Sequence, residues 1–190
     1  MYIKLIALCF GLLSFTTFSS SPMIQSPVHP EATMEGMINW MTWEEAVAAS
    51  KENPKKIMVD IYTDWCGWCK RMDTNTFQTA AIAEYVNEHY YAVKFDAEQK
   101  GDIEFNGKTY RFINNDRRGY HELAAELTKG RLGYPTTVFL DEQLSVIQSI
   151  AGYKSPEDFE AIITYFGGDF HRKMPWDKYR QSFSAEPTGN

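Results

Sequence analysis

Cysteine is scarce in this chain, with 3 among 190 residues. Cys9 lies in an apolar N-terminal stretch, so the remainder of the chain holds only Cys66 and Cys69. Small secreted domains that depend on structural disulfides carry several well-separated cysteines. The scarcity excludes that class of protein, and it makes the one possible internal disulfide the expected working part.

Basic residues are fewer than acidic residues in this sequence. Lys and Arg total 19 against 25 Asp and Glu, a formal net charge of −6. Because the phosphate backbone requires a basic face, we expect no nucleic-acid partner. No phosphate loop or dinucleotide fingerprint is present, and we expect no cofactor. The histidines lack metal-ligand spacing, so surface or hydrogen-bonded roles are expected for His29, His89, His121 and His171.

The N-terminus has the order of a secretory signal peptide. Lys4 precedes an apolar stretch that ends near Phe18 and is followed by three serines. Its length of about 14 residues is less than the roughly 20 that span a bilayer. We predict a signal peptide at 1–21 and no stable membrane insertion after cleavage. An uncleaved membrane anchor is the alternative.

The remainder of the chain is predicted to form one domain. A composition of 44% hydrophobic and 15% aromatic residues supports a globular protein with a real core. Three prolines and little apolar periodicity predict a flexible linker at 22–37. The domain is expected at 38–185, followed by a flexible tail at 186–190.

The first half of this domain alternates helix and strand patterns. A capping-box order begins the first helix at Thr42. The predicted elements are that helix to about residue 51, a buried strand at 57–63, a helix from Cys66, a helix at 80–89 capped by Thr79, and a strand at 91–96. A strand–helix–strand unit of this kind predicts parallel strands.

The second half predicts a hairpin and then an antiparallel strand pair. Asn106-Gly107 lies between alternating residues, which is a strong hairpin signal. The predicted elements are hairpin strands at 103–105 and 109–112, a helix at 121–128, strands at 137–140 and 146–150, a helix from Ser155 to Gly167, and an aromatic segment at 176–183 that packs back on the domain.

The two cysteines stand where a buried strand gives way to a helix. Free N–H groups and the helix dipole at this point favour the Cys66 thiolate. We expect Cys66 to be the exposed nucleophile and Cys69, one turn later, to be the buried resolving thiol. Half of a zinc site is the alternative, although four ligands are usual and no other cysteine remains.

Asp60 and Lys94 are candidates for proton handling. An aspartate between Val59 and Ile61 is either turned to solvent or buried. Burial would raise its pKa and allow it to accept the Cys69 proton. Lys94 either pairs with Asp60 or is a solvated edge residue.

Residues around the cysteines are candidates for substrate binding. Trp65, Gly67 and Trp68 surround Cys66, and the two indoles could form an apolar docking surface. Core packing is the alternative for Trp65. A cis Tyr134–Pro135 bond could present backbone groups to an extended substrate chain, whereas a trans proline at a strand entrance is the ordinary alternative.

With these residues in order, the chain resembles the thioredoxin superfamily over about 40–166. It is most similar to secreted bacterial thioredoxin-like proteins with a bulky residue inside the C-x-x-C. The matching positions are a buried carboxylate at Asp60, Trp65 before the first cysteine, Lys94 on the next strand, the cis-proline at Pro135 and Gly152 after the last strand. The resemblance implies an α/β thioredoxin fold, with a mixed sheet flanked by helices and a β-hairpin insertion before the third core helix. It also implies a redox disulfide between Cys66 and Cys69.

The chain departs from that pattern at two places. Trp68 stands where thioredoxin has proline, and since this dipeptide tunes the redox potential in the family, reductant strength does not carry over. The insert at 100–118 either shapes a substrate groove or covers an edge of the sheet.

These observations predict a secreted thiol–disulfide oxidoreductase of a bacterial periplasm that reduces disulfides of exported proteins. Gly67-Trp68 has no histidine to stabilise the thiolate, which favours a reductase. Expected partners are disulfide-containing or unfolded secreted proteins and an upstream thiol electron donor, with a membrane-embedded donor as one option. The alternatives are a disulfide oxidase or isomerase, a non-catalytic peptide-binding module, and a copper-handling protein that uses both thiols.

Overall fold

The computed structural model describes residues 37–115 and 118–185. The predicted signal peptide, residues 22–36 of the predicted linker and the tail at 186–190 lie outside the described residues, as do Cys9 and His29. Our expectations for those segments stay predictions.

Strands and short helices alternate in the first half of the described chain. In order they are β1 (Trp40–Met41), α1 (Trp43–Glu52), β2 (Lys56–Tyr62), α2 (Gly67–Met72), a π-helical turn (Asp73–Phe77), α3 (Ala80–His89) and β3 (Tyr90–Asp96). The predicted helices and strands of this half are present, with ends that differ by one or two residues.

The second half contains the insert and the remaining helices. In order they are β4 (Ile103–Phe105), β5 (Lys108–Tyr110), β6 (Phe112–Ile113), β7 (Tyr120–His121), α4 (Glu122–Leu127), β8 (Thr136–Leu140), β9 (Val146–Ala151), α5 (Pro156–Gly167), a 3-10 turn (Phe170–Arg172) and α6 (Trp176–Ala185). None of the helices between residues 37 and 185 has the length and apolar character that a membrane crossing requires.

Five strands form one mixed sheet in the order β1-β3-β2-β8-β9. β2 and β3 are parallel, with Asp60 opposite Lys94, whereas β8 and β9 are antiparallel. Both pairings were predicted and are confirmed. Helices flank the sheet, so the predicted α/β class and mixed sheet are confirmed as well.

Packing on both faces of the sheet explains the near-continuous apolar run of β2. Ile57, Val59 and Ile61 belong to the core cluster that contains Trp43, and Met58 belongs to the cluster on the other face. Side chains alternate along a strand, so Asp60 points to the same face as Met58. The strand therefore places a carboxylate on a covered face.

Helix caps agree with the sequence at two places and differ at a third. Thr42 forms the predicted capping box with Glu45, and the Ser155 side chain accepts the Asp158 amide. Thr79 is the N-cap residue of α3, as predicted, but its side chain makes no capping hydrogen bond. Its hydroxyl donates instead to the Asn75 carbonyl, 3.4 Å away in the preceding turn.

The insert forms the predicted hairpin, but its second strand is shorter than expected. Asn106 and Gly107 have positive φ values of 51° and 75°, as the tight turn requires. β5 ends at Tyr110, and the predicted strand at 109–112 is wrong beyond that residue. The chain turns there because Phe112 pairs with His121 in a second small sheet.

Aromatic packing secures both the insert and the C-terminal helix. The Phe105 ring of the hairpin lies edge-on to Trp43, with centroids 4.9 Å apart. In α6, Trp176 and Tyr179 contact Tyr165 of α5 at 5.2 and 5.0 Å between centroids. The prediction that the aromatic segment packs back on the domain is confirmed.

Candidate active site

Cys66 and Cys69 form a disulfide at the junction of β2 and α2. Cys66 is the N-cap residue of α2, and its sulfur accepts the Cys69 amide at 3.0 Å. The Cys66 amide in turn donates to the Thr63 carbonyl at 3.0 Å. A backbone donor aimed at this sulfur stabilises negative charge on it when the disulfide is reduced.

Both sulfur-bearing side chains are largely covered. Cys66 is 5% exposed and Cys69 is 1% exposed. The prediction that Cys66 is exposed is therefore wrong for the disulfide form, in which its sulfur is bonded to the buried Cys69 and accepts that residue's amide. Cys66 is more exposed than Cys69, as predicted, but the difference in exposed fraction is small.

Asp60 of β2, six residues before Cys66, is 1% exposed, so the solvent-facing alternative is wrong. Burial raises the pKa of Asp60 from 3.8 to about 6, although Lys94 acts in the opposite direction. Its Oδ2 accepts a hydrogen bond from Lys94 Nζ at 2.6 Å, and no described residue bonds to Oδ1. A carboxyl group in this state can hold a proton near neutral pH.

Lys94 is a paired residue, so the solvated-edge alternative is also wrong. Its ammonium bonds to Asp60 and also to Asp73 of the π-helical turn. Burial by itself would lower the pKa of Lys94, but the two carboxylates raise it above its ordinary value. The site thus contains one cation shared between two acids.

The Tyr134–Pro135 bond is cis. The Pro135 carbonyl accepts the Gly152 amide at 2.8 Å, which joins the entrance of β8 to the end of β9. Gly152 has a φ of 84°, a conformation that favours glycine. Two positions of the family resemblance are thus in direct contact.

Trp65 is exposed, at 49%, so core packing is the wrong alternative for this residue. Its indole N–H donates to Glu98 at 3.0 Å, and Tyr134 lies edge-on to the ring. The Arg118 guanidinium lies 4.0 Å from the ring centroid. Glu98, Tyr134 and Arg118 thus all contact the exposed Trp65 indole.

Trp68 belongs to a second exposed group. It is 56% exposed and packs at 5.6 Å from the Tyr153 ring, with Arg71 lying 5.3 Å from its centroid. Gly67 lies between the two indoles, and a side chain added there would meet no atom within 4 Å. Both tryptophans within two residues of Cys66 are therefore exposed, and the space at Gly67 is open.

Sequence reasoning missed several residues of this site. Asp73 follows Cys69 by four residues, a helical spacing that could have indicated proximity. Arg71 follows Trp68 by three residues on α2, which is also a helical spacing. The others carry no local signal, because they reach the site through tertiary packing: Glu98, Arg118 and Tyr153.

Comparison with known proteins gives the family. A family model described as Thioredox_DsbH, protein of unknown function, DUF255, matches residues 23–166. The chain belongs to this family. The predicted thioredoxin-like relationship is confirmed, and the family together with the disulfide pair supports the class of thiol–disulfide oxidoreductases.

Among the relatives of this DUF255 member, one is an uncharacterized protein and two are named for disulfide chemistry. Uncharacterized protein B0495.5 of Caenorhabditis elegans is 27% identical over 67% of this chain and 16% of its own length. Disulfide bond reductase DsbH of Chlamydia pneumoniae is 24% identical over 56% of this chain and 58% of its own. Thiol:disulfide interchange protein DsbD of Pectobacterium atrosepticum is 26% identical, over 63% and 18%. The chain thus spans less than two thirds of these relatives.

Solved structures share the fold. A DsbH oxidoreductase structure aligns with a TM-score of 0.50 at 21% identity, over 77% of this chain and 92% of its own. A thioredoxin-fold protein from Helicobacter pylori aligns with a TM-score of 0.56 at 16% identity, over 70% and 86%. The predicted thioredoxin fold is confirmed.

Proposed function

We propose that this protein is a thiol–disulfide oxidoreductase that reduces disulfides of exported proteins in a bacterial periplasm. The observation that carries the proposal is the Cys66–Cys69 disulfide, whose first sulfur accepts a backbone amide at the start of α2. The relatives named disulfide bond reductase and thiol:disulfide interchange protein support the reaction class.

In the reducing direction, the Cys66 thiolate attacks one sulfur of a substrate disulfide. The substrate S–S bond breaks, a mixed disulfide forms, and the departing substrate thiolate takes up a proton. The Cys69 thiol then gives its proton to Asp60 and attacks the Cys66 sulfur. The second substrate thiolate leaves, and the enzyme is left with its own disulfide, which an upstream thiol donor reduces. That donor is proposed to be a second protein, with a membrane-embedded one as an option.

The surface around the disulfide suits an extended protein substrate. Trp65 and Trp68 offer two exposed indole faces, and the backbone at Tyr134–Pro135 can pair with a substrate strand. Such contacts recognise exposed chain and apolar side chains and do not require one sequence. Unfolded or loop-borne disulfides of secreted proteins are the substrates that fit.

The reduction potential of Cys66/Cys69 tests this direction. Equilibration with glutathione is expected to give a value more reducing than the roughly −180 mV of protein disulfide isomerase. Gly67-Trp68 adds no positive charge beside the sulfur, and a less stabilised thiolate corresponds to a less oxidising pair. A value near −120 mV, typical of a strong oxidant, would contradict the reductase assignment.

A second prediction concerns Arg118 of the insert. Arg118→Met keeps an apolar stem but removes the cation that lies 4.0 Å from the Trp65 centroid. We expect the KM for a protein disulfide such as that of insulin to rise about 3- to 10-fold, since an exposed cation–π contact contributes about 0.5–1 kcal/mol and loosening the indole adds to this. Turnover of oxidised glutathione should be unchanged, because this small substrate does not need the indole surface.

The matched control is Arg111→Met, which removes an exposed arginine of the same insert that pairs with Asp102. Its kinetics should equal those of the wild type. Equal changes for insulin and glutathione in Arg118→Met would show that Arg118 does not act through protein binding.

A further inference from the structure

Asp73 shares the Lys94 ammonium with the buried Asp60. Lys94 Nζ lies 2.6 Å from Asp60 Oδ2 and also donates to Asp73 Oδ1. The Asp60 side chain is 1% exposed, whereas that of Asp73 is 38% exposed. One cation thus joins a carboxylate in the interior to a carboxylate at the surface.

The position of this cation is fixed by aromatic rings. Three ring centroids lie 5.0, 5.1 and 5.0 Å from Lys94 Nζ, those of Trp40, Tyr62 and Phe77. A cavity of about 240 Å³ borders Lys94 and Asp73 and is lined by Trp40 and Phe77. Among the described residues, the acceptors of this ammonium are the two carboxylates, so its charge is divided between them.

The charged surroundings of Asp60 are few within the described residues. β3 contributes Lys94 and the π-helical turn contributes Asp73, while the facing residue of β8 is the uncharged Thr137. Tyr62 of the same strand interacts with Asp60 electrostatically and is neutral near pH 7. Asp73 is therefore the only acid that competes for Lys94 in this set.

We propose that Asp73 is a positioning residue that, through Lys94, sets how tightly Asp60 holds a proton during thiol–disulfide exchange. The inference rests on the proposed function of Cys66 and Cys69. A lysine bonded to Asp60 alone would strongly favour the ionised carboxylate. Asp73 draws part of that interaction away, and its own charge also disfavours ionisation of Asp60, in agreement with its effect on the Asp60 pKa.

The direct test follows the titration of Asp60 in the oxidised full chain, by NMR of its carboxyl carbon. Asp73→Asn keeps the shape of the side chain and removes its charge. The Asp60 titration should move about 0.5–1 pH unit lower, since Lys94 then has one carboxylate to satisfy. Asp73→Glu keeps the charge, and Asp60 in this variant should titrate near its wild-type midpoint.

Asp102→Asn is the matched control, since it removes an exposed carboxylate that pairs with Arg111 on the insert. It should leave the Asp60 midpoint in place. In a second comparison, Asp73→Asn is added to a Lys94→Met variant. Relative to Lys94→Met alone, the Asp60 midpoint should then move by less than half as much as it does in the wild-type background. A full shift in that double variant would mean that Asp73 acts without Lys94, which would overturn the proposal.

Turnover supplies the second readout. In Asp73→Asn, the acidic limb of the pH–rate profile should move lower by the same amount as the titration. An active wild type whose Asp60 midpoint does not respond to Asp73→Asn would contradict this inference alone. A wild-type protein without exchange activity would contradict the proposed function, and the titration in the oxidised chain would still report on Asp60, Lys94 and Asp73.

Discussion

Cys66→Ser is expected to abolish disulfide reduction, and Cys69→Ser is expected to trap the enzyme on its substrate. The Cys66 sulfur is the one that accepts the helix-start amide, so its loss removes the nucleophile and should lower turnover at least about 1,000-fold. Without Cys69 the mixed disulfide at Cys66 has no internal thiol to resolve it. A covalent enzyme–substrate species should therefore accumulate.

Mass spectrometry under non-reducing conditions measures this species, and insulin reduction measures turnover. Cys9→Ser is the matched control, because Cys9 lies in the predicted signal peptide and should affect neither readout. Trapping through Cys69 in the Cys66→Ser variant would reverse the assigned roles. Retention of turnover in Cys66→Ser would remove the basis of the proposed function.

Asp60→Asn is expected to make the oxidised protein more stable at pH 8 while slowing exchange. Burial raises the pKa of Asp60 to about 6 from 3.8, so the folded state binds this proton more tightly than the unfolded chain does. The contribution of Asp60 to stability is therefore greatest at low pH and falls as pH rises from about 4 to about 6. Above that window the ionised, buried group costs about 3 kcal/mol.

The Asp60→Asn substitution removes that cost, and Lys94 keeps Asp73 as a partner. Urea unfolding at pH 8 should show a gain of about 2–3 kcal/mol over the wild type, and the gain should shrink towards zero near pH 4. Exchange at pH 7 should be slower, because the amide side chain of this variant cannot accept the Cys69 proton. A gain of the same size at both pH values would show that the effect does not come from ionisation of Asp60.

The neighbouring Asp64→Asn provides the matched control for this measurement. Asp64 is exposed, so its substitution should change stability by less than about 0.5 kcal/mol at either pH. A similar gain in both variants would point to net charge as the cause.

Local signals in the sequence were sufficient for most elements. The capping box at Thr42 and the Ser155-Pro156 start of α5 involve partners within three residues. The Asn106-Gly107 turn required only its two positive φ values. Thr79 shows the limit of such signals, since its hydroxyl donates to the Asn75 carbonyl of the preceding turn and does not accept an amide of α3.

The environment of Asp60 depends partly on local sequence pattern and partly on tertiary packing. Alternation along β2 fixed which face it shares with Met58, but the sequence left burial and exposure equally open. Helices and side chains from distant parts of the chain cover that face, which buried the carboxylate and raised its pKa.

By itself the sequence determined the C-x-x-C pair, its place between a strand and a helix, and the thioredoxin resemblance, because these depend on neighbours in the chain. The tertiary structure alone decided the surroundings of that pair. Lys94 donates a hydrogen bond to Asp73, which is 21 residues away in the sequence, and Trp65 donates one to Glu98, which is 33 residues away. Contacts at such separations form only when the sheet and its helices pack, since no local periodicity brings their side chains together.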